Sequence, residues 1–480
     1  MLFSSLEYIF IFLPVVFCLY FTVGNYLDYS KKIWILLLAS LFFYAWWLPI
    51  FLPLLLTSIS INFFMGNALR KNNNKKILLG GIILNLLPLL FFKYTNFILT
   101  NLGEFMNVFN RSVTVPHLKL VLPLGISFFT FQQIAYLVDC YRGGVEKYRF
   151  NDYALFVSFW PQLIAGPIVH HSELLPQFRK ERNSRIHWRH IYCGLIIFLL
   201  GLGKKLLLAD QMGMVADWGW GIHPNNLSTG TAWIVTLAYT LQLYFDFSGY
   251  CDMAMGSAFL FNIRLPLNFN SPYHALSIQD FWRRWHITLS VWLRDYIYIP
   301  LGGSRKGLVR TIVNVFTTFL IGGIWHGAGW TFIIWGAMHG FALAVNNLWK
   351  TLVSIRLNKV YGWIITFSFV HFAWIFFRAP DVNSAFDMIH RMFCTPQSKG
   401  IQSFQWAFSE NALFYLTLGF IIIILPLSNT FTFGTFLIKK SRSTKLQFLT
   451  GVYCALILFL CLLRLVAKNI PQSPFLYFQF

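Results

Sequence analysis

Residues 75–100 read KKILLGGIILNLLPLLFFKYTNFILT. After two lysines, the stretch from 77 to 99 carries one charge, Lys93, and is close to the ~20 residues an α-helix needs to cross the hydrocarbon core of a bilayer. Similar apolar runs recur from end to end. Working outward from 77–99, they fall at about 7–23, 33–48, 51–68, 118–140, 190–209, 229–247, 309–326, 331–349, 360–377, 411–427 and 446–467. The chain therefore reads as an all-α polytopic membrane protein with 11–13 transmembrane helices, forming one membrane-embedded domain over residues 1–480.

Composition agrees. The 480 residues are 57% hydrophobic and only 11% charged, with a mean hydropathy of +0.58. A soluble domain carries about 25% charged residues, so two or three soluble domains, which the length alone would allow, are excluded. The net charge of +21 could suggest nucleic acid, but the basic residues sit in short clusters between apolar runs: Lys31-Lys32, Arg70–Lys76, Arg142–Arg149, Arg179–Arg189, Arg305–Arg310 and Lys439–Lys445. Such clusters mark cytoplasmic loops facing anionic lipid headgroups, and no nucleic-acid partner is expected. Seven cysteines without a CxxC pair imply no disulfide framework. The first run lacks a basic leader and an A-x-A site, so it is expected to be retained. With basic residues following that run, twelve crossings put both the N- and C-termini outward.

Two apolar stretches do not fit as full spans. Ala154–Ile168, containing WPQLIAGP, has basic segments on both sides, and Met253–Ile263 poses the same problem. Both are expected to be re-entrant elements around an internal cavity, because irregular backbone at membrane depth must pack in protein or line a cavity. Residues 277–300 open with a capping-box pair, Ser277 and Asp280, and repeat Trp282, Trp285, Leu289, Trp292 and Tyr296 at helical spacing among arginines. They predict one amphipathic helix at the membrane interface.

Ionisable residues inside a bilayer are costly and therefore functional candidates. His326, in Gly322-Gly323-Ile324-Trp325-His326-Gly327, stands at the end of one run and the start of a tight hairpin into the next. Burial keeps an imidazole neutral, as a general base requires; the alternative is a packing histidine bonded to a carbonyl. His286, in FWRRWH, is the second candidate, and an amphipathic interfacial ring is its alternative. His339 and His371 read as core histidines. His170-His171 is a loop pair with no third ligand nearby in sequence, so no metal site is expected. Asp246 and Asp252 stand near a predicted span end, where they could orient the histidines or, more commonly, cap or pair with loop arginines. Arg283, Arg284, Arg294 and Arg305 could hold a phosphorylated donor or equally a lipid headgroup. Neither a G-x-S-x-G elbow, a P-loop nor a G-x-G-x-x-G is present.

FWRRWHITLSVWLRDYIYIPLGGSRKG (281–307), followed by GGIWHGAGWTFIIWGAMHG (322–340), resembles the signature of the membrane-bound O-acyltransferases. YFDFSGYCDMAMG (244–256), WPQLIAGPI (160–168), FFRAP (376–380) and SPFLYFQF (473–480) fit its bacterial alginate O-acetylation branch, whose relatives act in peptidoglycan O-acetylation and teichoic-acid D-alanylation. The resemblance implies a helical bundle around a funnel or pore, with His326 as the catalytic histidine and His286 as its second histidine. Trp325, Asp246, Asp295 and His339 count as supporting residues. It implies cytoplasmic acetyl-CoA as donor, no bound cofactor, and location in the bacterial inner membrane. A separate extracytoplasmic SGNH-type transferase would acylate the polysaccharide, alginate-like first and peptidoglycan second. In the outward aromatic tail 473–480, Tyr477 is a candidate acyl relay; interfacial anchoring is the alternative for these aromatics. The rival from another class is a transporter or flippase that exports an acyl carrier or glycan without making a bond.

Overall fold

Each of the twelve predicted runs coincides with a helix in the computed structural model, which describes residues 1–23, 29–109, 115–353, 355, 357–394, 410–424, 429–430, 444–466, 473 and 475–476. No strand occurs among the described residues. Among the described residues, six helices are long and apolar enough to cross a membrane: Pro49–Asn72, Lys75–Val108, Trp188–Trp220, Leu308–His326, Lys359–Arg378 and Gln447–Val466. Among the described residues, 17% of the apolar window of Gln447–Val466 is buried against 56% in Trp188–Trp220, so the second is packed into the protein far more than the first. The helix beginning at Lys75 contains Pro88, which removes one amide donor; a π turn at Leu90–Tyr94 follows before helix resumes at Thr95.

The chain divides into two compact units, Met1–Ile191 with Ser257–Pro266, and Tyr192–Gly256 with Leu267–Phe480. In the first, Ala154–Ile168 is broken and buried in protein as expected. The helix Phe150–Ser158 stops at Phe159 before the single turn Trp160–Leu163. Trp160 donates its indole N–H to Tyr8 Oη (3.1 Å), which donates to Ser257 Oγ (2.7 Å).

Three expectations are corrected. The run 118–140 is helical only over Ile126–Tyr141, because Pro123 and Gly125 (φ +71°) delay its start. Met253–Ile263 is no re-entrant element: Thr229–Leu260 is one 32-residue helix ending before the left-handed Asn262 (φ 63°). Its glycines face a neighbouring helix instead of breaking their own. Residues 277–300 are not one helix but Ile278–Trp282, a left-handed turn at His286 (φ 44°), and Ile287–Leu293 continuing into a π turn, Arg294–Tyr298. The predicted helix start holds, since Ser277 Oγ accepts from the Asp280 amide (3.1 Å), while Asp280 reaches back to the Leu276 amide (3.3 Å).

Two close helix contacts organise the second unit. A Cβ on Gly201 would stand 2.7 Å from the Gly249 carbonyl oxygen, and one on Gly249 would stand 2.8 Å from that of Gly201. At this distance the lysines one turn beyond Gly201 meet the carboxylates flanking Gly249. Lys204 pairs with Asp252 (2.7 Å), and Lys205 bridges Asp210 (2.8 Å) and Asp246 (2.6 Å). Lys205 also donates to Ser473 Oγ (3.0 Å), Ser473 donates to Asp210 (2.7 Å), and the Leu476 amide donates to Asp246 (2.9 Å). Ser473 and Leu476 are therefore docked on a buried ion network. The second contact is the antiparallel pair Leu308–His326 and Trp330–Leu348, where a Cβ on Gly336 would stand 2.6 Å from the Phe319 carbonyl and 2.9 Å from Gly323 Cα.

Two outcomes are expected of detergent-purified protein. Gly336→Ala should lower stability by about 1–3 kcal/mol through overpacking. Gly451→Ala, where a Cβ meets nothing within 4 Å, should not; equal melting temperatures would remove the close-contact argument. Lys205→Met strands two buried carboxylates and should cost about 3–5 kcal/mol. An unchanged melting temperature would show that the network does not stabilise this unit.

Candidate functional site

His326 is the last residue of Leu308–His326, and Gly327 lets the chain turn back immediately. Its ring is buried among Trp325 (4.9 Å between centroids), Trp335 (4.9 Å) and Phe377 (5.2 Å). Trp335 comes from the antiparallel helix at the glycine contact, so the close packing of backbones is what brings this wall against His326.

His286 occupies the turn between two short helices. A left-handed conformation is uncommon for a residue with a Cβ and costs about 1–3 kcal/mol, so the surroundings must hold it. Asn268 does so. Its carbonyl accepts from the Ile287 amide (3.0 Å), and its side-chain Oδ1 accepts from the Thr288 amide (3.2 Å) and hydroxyl (2.9 Å). His286 Nδ1 lies 3.3 Å from the same Oδ1. Because that oxygen accepts, Nδ1 carries the proton and Nε2 is the basic nitrogen. Complete burial depresses this imidazole to about 3, so it is neutral at any physiological pH.

The two histidines flank one tryptophan. His286 and Trp325 rings are 6.4 Å apart, and Trp325 abuts His326. Beyond Trp335 the row continues to His339 (4.7 Å), whose Nδ1 accepts from Trp282 Nε1 (3.2 Å). His339 is thereby committed to holding Trp282. His371 sits apart with Nδ1 2.8 Å from Thr240 Oγ1, a core histidine as expected.

Of the supporting carboxylates, Asp246 lies within its helix, not at an end, and turns to Lys205 and Leu476 instead of a histidine or a loop arginine; Asp252 turns to Lys204. Asp295 forms a two-pronged pair with Arg294 (2.7 and 3.0 Å). Arg284 is engaged by Asp280 (2.9 Å), whereas Arg283 and Arg305 are exposed. Tyr477 lies outside the described residues, but its neighbours reach the site: Phe475 stacks on Tyr250 (4.4 Å) and meets Phe247 (5.6 Å), whose ring packs edge-on against His286 (4.9 Å). A cavity of about 570 Å³, lined by apolar side chains together with Lys204, Tyr244, Tyr273, His274 and Asn429 among other polar groups, lies in the same unit; its lining includes neither His286 nor His326.

Sequence reading missed Asn268 and Phe247, since a buried asparagine in a loop and a phenylalanine among 52 carry no spacing signal. It also missed a group elsewhere, in the first unit, where Asp139 meets His170 and His171 from 31 residues away.

Residues 76–385 match the model of the membrane-bound O-acyltransferase family. The chain is 43% identical to the peptidoglycan O-acetyltransferase of Helicobacter pylori, over 100% of this chain and 98% of that protein. It is 41% identical to a probable alginate O-acetylase of Pseudomonas aeruginosa (82% of this chain, 75% of that protein), and 27% identical to the teichoic acid D-alanyltransferase of Bacillus subtilis (64% and 79%). With a family match over more than half its length and such relatives, this chain belongs to the membrane-bound O-acyltransferase family.

Proposed function

We propose that the chain transfers acetyl groups from cytoplasmic acetyl-CoA across the bacterial inner membrane for O-acetylation of an extracytoplasmic polysaccharide. The observation that carries this reading is the pair of buried histidines on either side of Trp325, walled by aromatic rings, with the basic nitrogen of His286 identifiable from its Asn268 contact. The names of the relatives, peptidoglycan O-acetyltransferase and probable alginate O-acetylase, support a polysaccharide acceptor. An alginate-like polymer and peptidoglycan both fit as the acceptor, since relatives named for each match this chain over nearly their whole length.

In this reading His326 removes the proton from an acceptor hydroxyl as its oxygen attacks the thioester carbonyl. The C–O bond forms, the C–S bond breaks, and the proton ends on the thiol of coenzyme A. His286 is the second base on the other side of Trp325. The exposed Arg283 and Arg305 are available to donor phosphates, while Arg284 and Arg294 are already engaged by aspartates. Tyr477, next in the chain after the anchored Leu476, is the acyl relay to a separate SGNH-type transferase, and both termini face outward. A transporter moving an intact acyl carrier has no use for such bases, though it remains the competing outcome.

His326→Ala should leave the protein folded in the membrane and lower acetyl transfer by about 10²–10⁴. Base-released acetate from the polymers of cells expressing the variant is the measurement; normal acetylation removes His326 from catalysis, and substrate movement by purified protein without bond formation favours transport. His286→Asn separates backbone from chemistry, because asparagine tolerates the left-handed turn but offers no basic nitrogen. Activity should fall by at least about 10² with KM little changed. Full activity would reduce His286 to a turn residue.

A further inference from the structure

We propose that Asp139, His170 and His171 form a binding site for a divalent cation of the zinc class, with water in the fourth position. The sequence offered only the adjacent histidines. Folding adds Asp139 near the end of the helix Ile126–Tyr141, and one ligand atom from each residue lies within 4.8 Å of the others. Asp139 Oδ2 stands 3.3 Å from His171 Nε2 and 2.6 Å from His170 Nε2.

Zinc bonds of about 2.0–2.2 Å to nitrogen and oxygen give tetrahedral edges of about 3.3–3.5 Å. The Asp139–His171 edge already has that length. The Asp139–His170 edge is shorter by roughly 0.7 Å, as suits a hydrogen bond, and must open to admit the ion. His170 is the residue able to move: its side chain is 35% exposed, against 3% for His171. The exposed flank also leaves room for water.

The far side of each ring is held. His171 Nδ1 lies 3.2 Å from Tyr148 Oη, and His170 Nδ1 lies 2.6 Å from Ser172 Oγ. Donation of each Nδ1–H to its hydroxyl frees the Nε2 lone pair for metal, the arrangement in which outer groups orient histidine ligands. Without metal, His170 Nδ1 instead caps the following helix by accepting the Ser172 amide (3.3 Å), so the ion exchanges one tautomer for the other. Arg142 stands 3.7 Å from Oδ1, the Asp139 oxygen turned from the pair, and Arg179 lies over the Tyr148 ring (5.2 Å); both weaken attraction for a cation. Two nitrogens and a single carboxylate oxygen favour zinc over calcium or magnesium, which take oxygen cages. Bound there, the ion would pin the end of Ile126–Tyr141 to the start of His171–Phe178.

The test uses full-length protein in detergent, stripped with chelator and titrated with zinc in equilibrium dialysis, with cobalt as the spectroscopic probe. Wild type should retain one zinc per chain, give the visible bands of tetrahedral cobalt, and gain melting temperature with zinc. His170→Gln and Asp139→Asn should bind no zinc at concentrations that fill wild type, and Tyr148→Phe should bind about 10–100-fold more weakly. The melting temperature of each metal-free variant establishes that it is folded. Absence of retained zinc in wild type overturns the proposal. So does equal stoichiometry in folded His170→Gln, which would place the ion at another histidine or cysteine.

Discussion

The ammonium of Lys205 is the group on which the second unit depends. It sits among Asp210, Asp246 and Ser473 with almost no access to solvent, so each ion it holds would be costly alone. The network exists only because Gly201 and Gly249 allow two helix backbones to touch; any larger residue would hold the lysines away from the carboxylates. Once formed, it fixes Ser473 and Leu476, and through Phe475 and Phe247 this stretch supports one side of His286. Glycine packing, ion pairing and site geometry are therefore successive consequences of one helix contact.

The histidine row is built by a parallel device. Gly323 and Gly336 bring the hairpin helices together so that Trp335 lands on His326 and, on its other side, on His339. These rings exclude water and remove conformational choice from the imidazoles. Asp246 and Asp295 take no part in this row and are committed to lysine and arginine instead.

Helix positions were legible because crossing a bilayer requires long apolar runs, and length and hydropathy report that directly. His326 was legible because ionisable side chains in such runs are rare, and His286 because it stands in the FWRRWH motif of the Trp-rich segment 277–300. What failed was the reading of breaks. Met253–Ile263 was set apart because it did not fit as a full span, yet it continues the helix from Thr229, where Gly249 and Gly256 serve a neighbouring backbone. Trp282 to Tyr296 had helical spacing, but a left-handed residue at His286 depends on Asn268, eighteen positions away, and spacing within a segment cannot report it. Asp139 escaped for the same reason, since its partners lie beyond any local window.

A distinction follows between the two sets of buried polar groups. Lys205 and its carboxylates are satisfied by one another, and their geometry is closed. His286 is held in a costly backbone conformation by several hydrogen bonds that converge on one asparagine, although a glycine or a regular helix would have made the turn without strain. Packing alone does not require an imidazole in that conformation. The strain is tolerated because the Asn268 oxygen that holds the turn also orients the ring, fixing the proton on Nδ1. In the function proposed above, that orientation makes Nε2 the base and the ion network the scaffold of the site.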